Sequence, residues 1–379
     1  MLYIALRMLF GDKAKYLLLL CSLSFASLLI TQQAAVFFGL MRWSTAFLRN
    51  SYAKIWVADP MVEQVNETNA MRQIELQRVR SVPGVKWAMP ISFNILLAKL
   101  PNGFFQNVQL VGFDDTTLAG APRTMLKGSF SDIWRADAVV IDEIAVEKLS
   151  QGFGRLIDVG DSFEINDHRV IIVGICHVER TFFGYGSVYT IFSRSLEIRP
   201  PQRKLLNFVI CEPCDNLSAE EVAERIHRKT GLKAFTEPQF FWSSIWWYVK
   251  NTGIPISFGT TVLLGFLVGV AVAGQTFYSF ILENLPHFGA LKAMGISNRT
   301  LLWMLITQAF VVGLAGYGIG LGLSSVFGYS VLHRGNPPFY MLPELLLLTL
   351  FAILFICTFS VILGIRKINA VDPAQVFRT

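Results

Sequence analysis

Four long stretches of this 379-residue sequence lack Asp, Glu, Lys and Arg almost entirely, and each stretch is largely apolar. A helix needs about 20 apolar residues to cross the ~30 Å hydrocarbon layer at 1.5 Å per residue. The first stretch is too long for the apolar part of a signal peptide, and no convincing cleavage site follows it. We therefore predict four membrane-spanning α-helices, at residues 16–41, 253–282, 301–332 and 343–365.

Several catalytic and nucleotide-binding motifs are also missing. The sequence has no GxxxxGK[ST] phosphate loop, no G-x-S-x-G elbow and no H-E-x-x-H pair. The amide side chains inside the predicted spans are Gln32, Gln33, Gln275 and Gln308, and no ionisable group lies near mid-membrane. Ion-driven pumps usually need such a group. We expect a chain that is not an enzyme, binds no cofactor itself and is not an ion-driven pump.

Cysteine is scarce, with five residues in the chain. Cys211 and Cys214 flank a Glu-Pro pair, and Cys176 precedes His177. A zinc site needs four converging ligands, whereas neighbours on a strand point to opposite faces, so we predict no metal site. A disulfide between Cys211 and Cys214 and a pair of free thiols both remain open.

The basic residues next to the spans indicate the orientation of the chain. An even number of spans puts both termini on one side and residues 42–250 on the other. The terminal side, with the 283–300 loop, has eight Lys or Arg near span ends, and the other side has five. By the positive-inside rule the termini are cytoplasmic and residues 42–250 form an outer domain. These flanking residues account for much of the net charge of +6 without any nucleic-acid partner.

Residues 1–15 precede the first span and place Leu2, Leu6, Leu9 and Phe10 on one helical face. This pattern favours a short helix in the cytoplasmic interface, and a frayed start of the first span is the alternative.

The outer domain has the pattern of an α+β fold. Helical spacing over 71–82 and 218–230 alternates with strand-like runs at 85–100, 104–113 and 207–211. Between these halves, residues of about 120–200 indicate a β-rich insertion. It includes a tight hairpin at Asn166-Asp167-His168 and a further strand over 185–192.

Aromatic residues are concentrated just before the second span, at Trp242, Trp246, Trp247 and Tyr248. Trp and Tyr favour headgroup depth because each ring system has an apolar body and a polar end. We predict that these residues anchor the chain at the membrane interface, and contact with a lipid-like substrate is the alternative.

The loop over residues 283–300 is longer than a simple reversal of direction requires. Asn284 can cap a helix, Gly295 can end it, and Ser297 can start the next one. Apolar residues at positions 285, 288, 291 and 294 would share one face. A loop that only reverses direction needs about four to six residues and no amphipathic helix. We predict a short rigid helix whose apolar stripe docks on a cytoplasmic partner.

This loop resembles that of the MacB and FtsX-like permeases, the membrane subunits of mechanotransmitting ABC transporters. Their loop runs E-R-x-x-E-I-G-x-L-R-A-x-G, but here Asn284, His287 and Phe288 replace its Arg, Glu and Ile. The opening Ala5-Leu6-Arg7-x-Leu9 and the closing 372–378 segment also resemble the family pattern. The matching loop positions and the apolar ones between them are the candidate ATPase-coupling residues: Glu283, Leu285, Phe288, Gly289, Leu291, Lys292, Ala293, Met294 and Gly295.

The resemblance implies a permease in the bacterial inner membrane, with a cytoplasmic tail at 366–379 and a periplasmic domain. Two copies would pair, each with a separate ABC ATPase that binds ATP and Mg²⁺. A membrane-fusion adaptor and an outer-membrane channel are further expected partners. The substrate class is lipophilic or periplasmic. The alternative function is an FtsX-like regulator of an extracytoplasmic hydrolase.

Overall fold

The computed structural model describes residues 2–67, 69–201, 206–334 and 337–369. It divides into two compact units. The membrane unit comprises residues 1–40 and 253–379, and the inserted domain comprises residues 41–252. The chain therefore leaves one unit, completes the other and returns.

The helices, in chain order, are α1 Leu2–Gly11, α2 Lys13–Ser44, α3 Ala46–Ser51, α4 Ile74–Arg80, α5 Glu143–Phe153, α6 Phe192–Ile198, α7 Ala219–Thr230, α8 Glu237–Asn251, α9 Ile254–Glu283, α10 Leu285–Ala293, α11 Asn298–Arg334 and α12 Pro343–Asn369. The strands are β1 Ile55–Ala58, β2 Val85–Lys99, β3 Phe105–Phe113, β4 Thr124–Gly128, β5 Ala138–Asp142, β6 Ser162–Ile165, β7 His168–His177, β8 Gly186–Ile191, β9 Phe208–Pro213 and β10 Lys233–Thr236.

Four helices in the described part of the chain are long and apolar enough to cross a membrane: α2, α9, α11 and α12. They cover the four uncharged stretches of the sequence. The predicted fold class, four spanning helices with an α+β domain between the first and second, is confirmed. The predicted tail over 366–379 and the 372–378 motif cannot be compared as a whole, because residues 370–379 lie outside the described residues.

Glycines allow α9 and α11 to approach α2 closely. A Cβ built on Gly269 would lie 2.9 Å from the Cβ of Ala26, and one on Gly320 would lie 2.5 Å from the carbonyl oxygen of Ser24. Neither position can accept a larger side chain without movement of the helices. Small residues at such contacts let spans pack where the surrounding lipid removes the hydrophobic driving force between helices.

The N-terminal helix α1 is part of the membrane unit's core and is not a frayed start of the first span. Ala5 and Leu9 are fully buried among side chains of α2, α9, α11 and α12. The side-chain amide of Gln308, on α11, donates a 2.6 Å hydrogen bond to the carbonyl of Ala5. The buried face is therefore centred on Ala5 and Leu9, whereas Phe10 is exposed and packs against Tyr16.

The inserted domain contains a sheet in the order β10-β1-β9-β2-β3-β8-β5-β7-β4, and β6 pairs with β2 and β7. Strand β2 joins its two halves. Residues Val85–Ile91 pair with β9, and residues Ser92–Lys99 pair with β3. The first half packs its apolar side chains against α4 and α7. The second half contains the predicted β-rich insertion.

Local turn and capping residues hold the elements of the domain together, and the turn at Asn166-Asp167 is the one that the sequence predicted in the insertion. Asn166 and Asp167 both have positive φ, as the two-residue turn between β6 and β7 requires. Asp142 lies just before α5 and caps it, because its carboxylate accepts a 2.6 Å hydrogen bond from the Ala145 N–H. Outside the insertion, Gly231, which was predicted to end the helix over 218–230, follows α7 and has positive φ.

A cluster of aromatic residues packs on the face of the first half of the sheet that is opposite α4 and α7. Trp56, Phe93, Phe208 and Phe240 are fully buried around Phe47, the second residue of α3. The ring centroids of Phe47 and Phe93 are 4.9 Å apart, and those of Phe235 and Phe240 are 4.7 Å apart. Each such ring contributes roughly 1.5–3 kcal/mol when fully buried. This cluster fixes α3 and α8 to the sheet.

Candidate functional site

The short helix α10 connects α9 to α11 and contains most of the residues predicted to couple to an ATPase. Its start differs from the prediction. The side chain of Asn284 does not cap α10 but donates a 2.9 Å hydrogen bond back to the carbonyl of Phe280 in α9. The predicted cap is therefore wrong, because a carbonyl in the last turn of the preceding helix competes for the side-chain amide.

The end of α10 has the expected geometry. Gly295 has φ +87°, and its N–H donates to the carbonyl of Lys292, while the N–H of Ile296 donates to the carbonyl of Leu291. These two bonds form a Schellman motif, which a glycine accommodates without strain. Two residues later, Ser297 caps α11 by accepting from the Thr300 N–H at 3.3 Å. The connection on this side is thus short and hydrogen-bonded.

The apolar stripe of α10 faces the protein itself and not a free surface. Phe288 is 2% exposed, and Phe288 and Leu291 belong to the membrane unit's core, against which Leu285 also packs. Of the four stripe residues, Met294 alone is exposed, at 71%. The prediction that the stripe docks on a partner is wrong for Phe288 and Leu291. Periodicity identifies residues that share a face, but it does not identify the neighbour that covers that face.

The opposite face of α10 is open to a partner. Pro286, His287, Ala290 and Ala293 are exposed on it, while Gly289 is buried. Lys292 is half-buried. The exposed face therefore has small, weakly polar side chains, and the buried face attaches it to the spans.

His287 and Ala290 of this open face, with Glu283, Asn284 and Met294, form one wall of a groove of about 580 Å³. The other wall is the end of α1, with Met8, Gly11 and Asp12. Sequence reasoning missed this second wall, because the two walls are more than 270 positions apart in the chain and no local signal joins them.

Lys15 connects the two walls of the groove. Its ammonium group pairs with the carboxylate of Asp12 at 2.9 Å and also with that of Glu283, at the end of α9. The hydrogen bond from Lys15 is the main cause that lowers the pKa of Asp12. Glu283, a predicted coupling residue, thus links the end of α9 to the start of α2 at the edge of the groove.

The predicted interfacial aromatic residues divide into two groups along α8. Trp242 and Trp246 are exposed on one face, four residues apart, and Trp247 is half-buried. Tyr248 is only 4% exposed, accepts a 3.2 Å hydrogen bond from the Asn66 amide and packs on the ring of Phe182. The anchoring role is therefore wrong for Tyr248, whose side of the helix faces the domain interior.

All five cysteines are free thiols in this structure. Cys211 is buried within β9, and Cys214 lies just beyond the end of that strand. Residues three apart on an extended chain have Cα atoms about 10 Å apart, farther than the roughly 7 Å that a disulfide can bridge. The proposed pairing of Cys211 with Cys214 is therefore absent.

The residues weighed for a metal site do not converge. Cys176 is buried, while His177 is exposed and lies 2.5 Å from the carboxylate of Glu143. Within the described ranges, no three His, Cys, Asp or Glu side chains are grouped so that they could hold a metal ion.

Comparison with known proteins places both parts of the chain in one family. Residues 34–229, just over half of the chain, match the MacB-like periplasmic core domain. Residues 240–373 match the FtsX-like permease C-terminal domain. Together the two matches include most of the inserted domain and the second to fourth spans.

Individual relatives carry related names. Two uncharacterized ABC transporter permeases of Mycobacterium tuberculosis are each 30% identical over 122 residues, which are 32% of this chain and 34% of theirs. A Staphylococcus haemolyticus protein assigned as the hemin transport system permease protein HrtB is 23% identical over 62% of this chain and 63% of its own. The chain thus spans about a third of the length of the M. tuberculosis relatives it matches.

Two solved structures overlap the chain. The periplasmic region of MacB from Actinobacillus actinomycetemcomitans has a TM-score of 0.39 at 13% identity, over 54% of this chain and 96% of that one. The extracellular domain of YknZ from Gram-positive bacteria has a TM-score of 0.35 at 15% identity, over 48% and 100%. From the matched domains, the chain belongs to the family of multi-pass ABC transporter permeases that combine a MacB-like periplasmic core domain with an FtsX-like permease domain.

Proposed function

We propose that this permease couples ATP hydrolysis by a separate ABC ATPase subunit to movement of its periplasmic domain, for export or extraction of a lipophilic or periplasmic substrate. ATP and Mg²⁺ bind to the ATPase, since this chain has no phosphate-loop motif. The permease lies in the bacterial inner membrane with both termini in the cytoplasm. It acts as a pair of identical chains, with a membrane-fusion adaptor and an outer-membrane channel as further partners.

One observation carries this proposal: the two faces of α10 have different surroundings. The face with Phe288 and Leu291 is buried in the core of the spanning helices. The face with His287 and Ala290 lines an open groove. A force applied to the groove by a partner therefore acts directly on the spans, because the buried face leaves α10 little freedom to move alone.

Two observations support the proposed substrate class. The relative assigned as HrtB carries hemin transport in its name, and hemin is a lipophilic molecule. Trp242 and Trp246 are exposed on a helix that directly precedes the second span. At this position they can anchor the chain at the membrane interface or contact a lipid-like substrate.

An arginine placed in the groove tests the docking step. Ala290 is exposed, so Ala290→Arg fills the groove without disturbing the core. We expect normal insertion and thermal stability, but loss of co-purification with the ATPase and of permease-stimulated ATP hydrolysis in nanodiscs. Gln151→Arg, an exposed position on α5 in the periplasmic domain, adds the same charge and serves as the control. Unchanged ATPase binding by Ala290→Arg would contradict the proposal.

Labelling with a membrane-impermeant maleimide tests the orientation. Cys214 is partly exposed in the periplasmic domain, and Ala293 is exposed on α10. In the Ala293→Cys variant, we expect the new thiol to react only from the cytoplasmic face and Cys214 only from the opposite face. Reaction of both thiols from the same face would refute the topology.

A further inference from the structure

The periplasmic domain has a cavity of its own, which is separate from the groove at α10 in the membrane unit. Its volume is about 350 Å³. It lies between the end of α3, strand β2 and the loop from β3 to β4, over a floor that includes the buried Ile210. Ligand pockets in proteins have volumes of about 300–1,000 Å³, so this cavity suits a small molecule or a single side group and not a macromolecule.

Aromatic side chains form the walls of this cavity. Tyr52 is exposed, while Trp87 and Phe130 are only partly buried at the edge of the domain's aromatic core. Exposed aromatic surface beside an apolar floor is available to bind an apolar or aromatic group of a ligand.

A cation lies at the mouth of the cavity. The guanidinium of Arg123 lies 3.9 Å from the centroid of the Tyr52 ring. Over residues 2–67, 69–201, 206–334 and 337–369, no carboxylate forms an ion pair with Arg123. A guanidinium stacked on a ring still presents N–H donors at its edge, in the fork that matches a carboxylate or phosphate.

The loop that frames the cavity is held in place by its own hydrogen bonds. The carboxylate of Asp114 accepts from the N–H and the hydroxyl of Thr117, at 2.7 and 2.8 Å. Gly120 has φ +91°, and a Cβ on it would lie 2.7 Å from the Cδ1 of Ile91. The cavity is therefore preformed, so a ligand need not pay the cost of ordering the loop.

Backbone strain concentrates at the same cavity. Five non-glycine residues in the described ranges have positive φ, and three of them are Asn or Asp, for which this conformation is common. The other two are Tyr52, with φ 52°, and Leu118, with φ 55°, and both line the cavity. Bulky residues persist in this conformation where the surroundings impose it, and such positions cluster at ligand sites.

We propose that this cavity binds a small amphipathic organic anion, whose apolar or aromatic body lies against Tyr52, Trp87 and Phe130 and whose carboxylate or phosphate pairs with Arg123. The walls select an apolar body, and the guanidinium selects a negative charge. Binding at this site needs no nucleotide, so it stands apart from the proposed coupling to an ATPase.

Ligand binding to the full-length chain in lipid nanodiscs, without any ATPase, tests the proposal. The probes are para-trifluoromethylbenzoate, the neutral para-trifluoromethylbenzamide and the cationic para-trifluoromethylbenzylamine. Fluorine NMR measures their binding, and empty nanodiscs give the background. We expect saturable binding of the benzoate and affinities about tenfold weaker for the other two probes. Equal binding of all three probes, or no saturable binding of the benzoate, would overturn the proposal.

Matched variants locate the binding. Arg123→Gln should weaken benzoate binding about tenfold and leave benzamide binding unchanged. Arg228→Gln, which removes an exposed guanidinium on α7, should change neither. Ala121→Leu places extra volume in the cavity and should weaken both probes. Benzoate binding that survives both Arg123→Gln and Ala121→Leu would show that the anion binds elsewhere.

Discussion

Arg42 and Glu179 form an ion pair in which the guanidinium donates to the carboxylate at 2.6 Å. Arg42 lies in the last turn of α2, the first spanning helix, and Glu179 lies in the loop between β7 and β8. Arg49 of α3 also donates to this carboxylate, at 2.7 Å, and the Asn50 amide donates to the Glu179 carbonyl at 2.9 Å. Within the periplasmic domain, the end of α2 and α3 are thus both held to one loop through the carboxylate and the backbone carbonyl of Glu179.

Glu179→Gln should destabilise the periplasmic domain by about 1–3 kcal/mol at pH 7, because charge-assisted hydrogen bonds to two guanidiniums are lost. Burial raises the pKa of Glu179, but the hydrogen bonds from Arg42 and Arg49 outweigh it and lower the pKa overall. The contribution is therefore present above the usual glutamate pKa and is lost as pH falls through the lowered native value. Thermal unfolding of both proteins from pH 7 to pH 3 should show the difference shrinking.

The control for this prediction is Glu147→Gln. Glu147 pairs with Arg180 at 3.3 Å and is largely exposed. Exposed pairs of this kind contribute about 0–1 kcal/mol. If both variants lose the same stability, the partly buried group of Glu179 with Arg42 and Arg49 has no special role.

Phe288 and Met294 lie on the same apolar stripe of α10, but Phe288 is buried and Met294 is exposed. Phe288→Ala should lower the unfolding temperature of the membrane unit strongly, because it empties a buried site. Met294→Ala should leave the unfolding temperature unchanged, because its side chain is exposed. Thermal unfolding in one detergent measures both variants, and equal effects would mean that α10 does not pack as described.

Several features of this structure are predictable from the sequence alone. The four spans are predictable because a soluble domain rarely contains an apolar stretch of about 20 residues without a charged side chain. The turn at Asn166-Asp167 and the glycine at Gly295 are predictable because their backbone geometry favours few residue types. These signals are local.

The groove depends on contacts that local signals cannot specify. Lys15 and Glu283 are 268 positions apart, and nothing near either residue indicates the other. The aromatic residues of α8 show the same limit, since composition groups Tyr248 with Trp246 while the helix places them on different faces. Long-range packing decides which face of each helix remains available for function.

The buried carboxyl group of Asp142 should give the stability of the periplasmic domain an unusual dependence on pH. Burial raises the pKa of this carboxyl to about 6. Because the native state holds this proton more tightly than the unfolded chain, stability should fall as pH rises from about 4 to 6, by on the order of 2–3 kcal/mol. The loss is complete above pH 6.

Asp142→Asn should remove this slope, because asparagine keeps an oxygen that can accept from the Ala145 N–H but does not ionise. The measurement is the unfolding temperature of the wild type and the variant between pH 4 and pH 7. Groups elsewhere titrate in both proteins, so their contribution cancels in the difference. A difference that does not change with pH would show that Asp142 keeps an ordinary pKa.

Gly320 and Gly322 on α11 offer a matched pair for the packing of the spans. Leucine at position 320 would force its Cβ toward the backbone of α2, whose Ser24 carbonyl oxygen is 2.5 Å away. Nothing lies within 4 Å of a Cβ at position 322. Both substitutions raise helix propensity equally, so their difference reports packing alone. We expect Gly320→Leu to lower the unfolding temperature in detergent sharply and Gly322→Leu to leave it unchanged or slightly raised. Equal behaviour of the two variants would refute the close contact between α2 and α11.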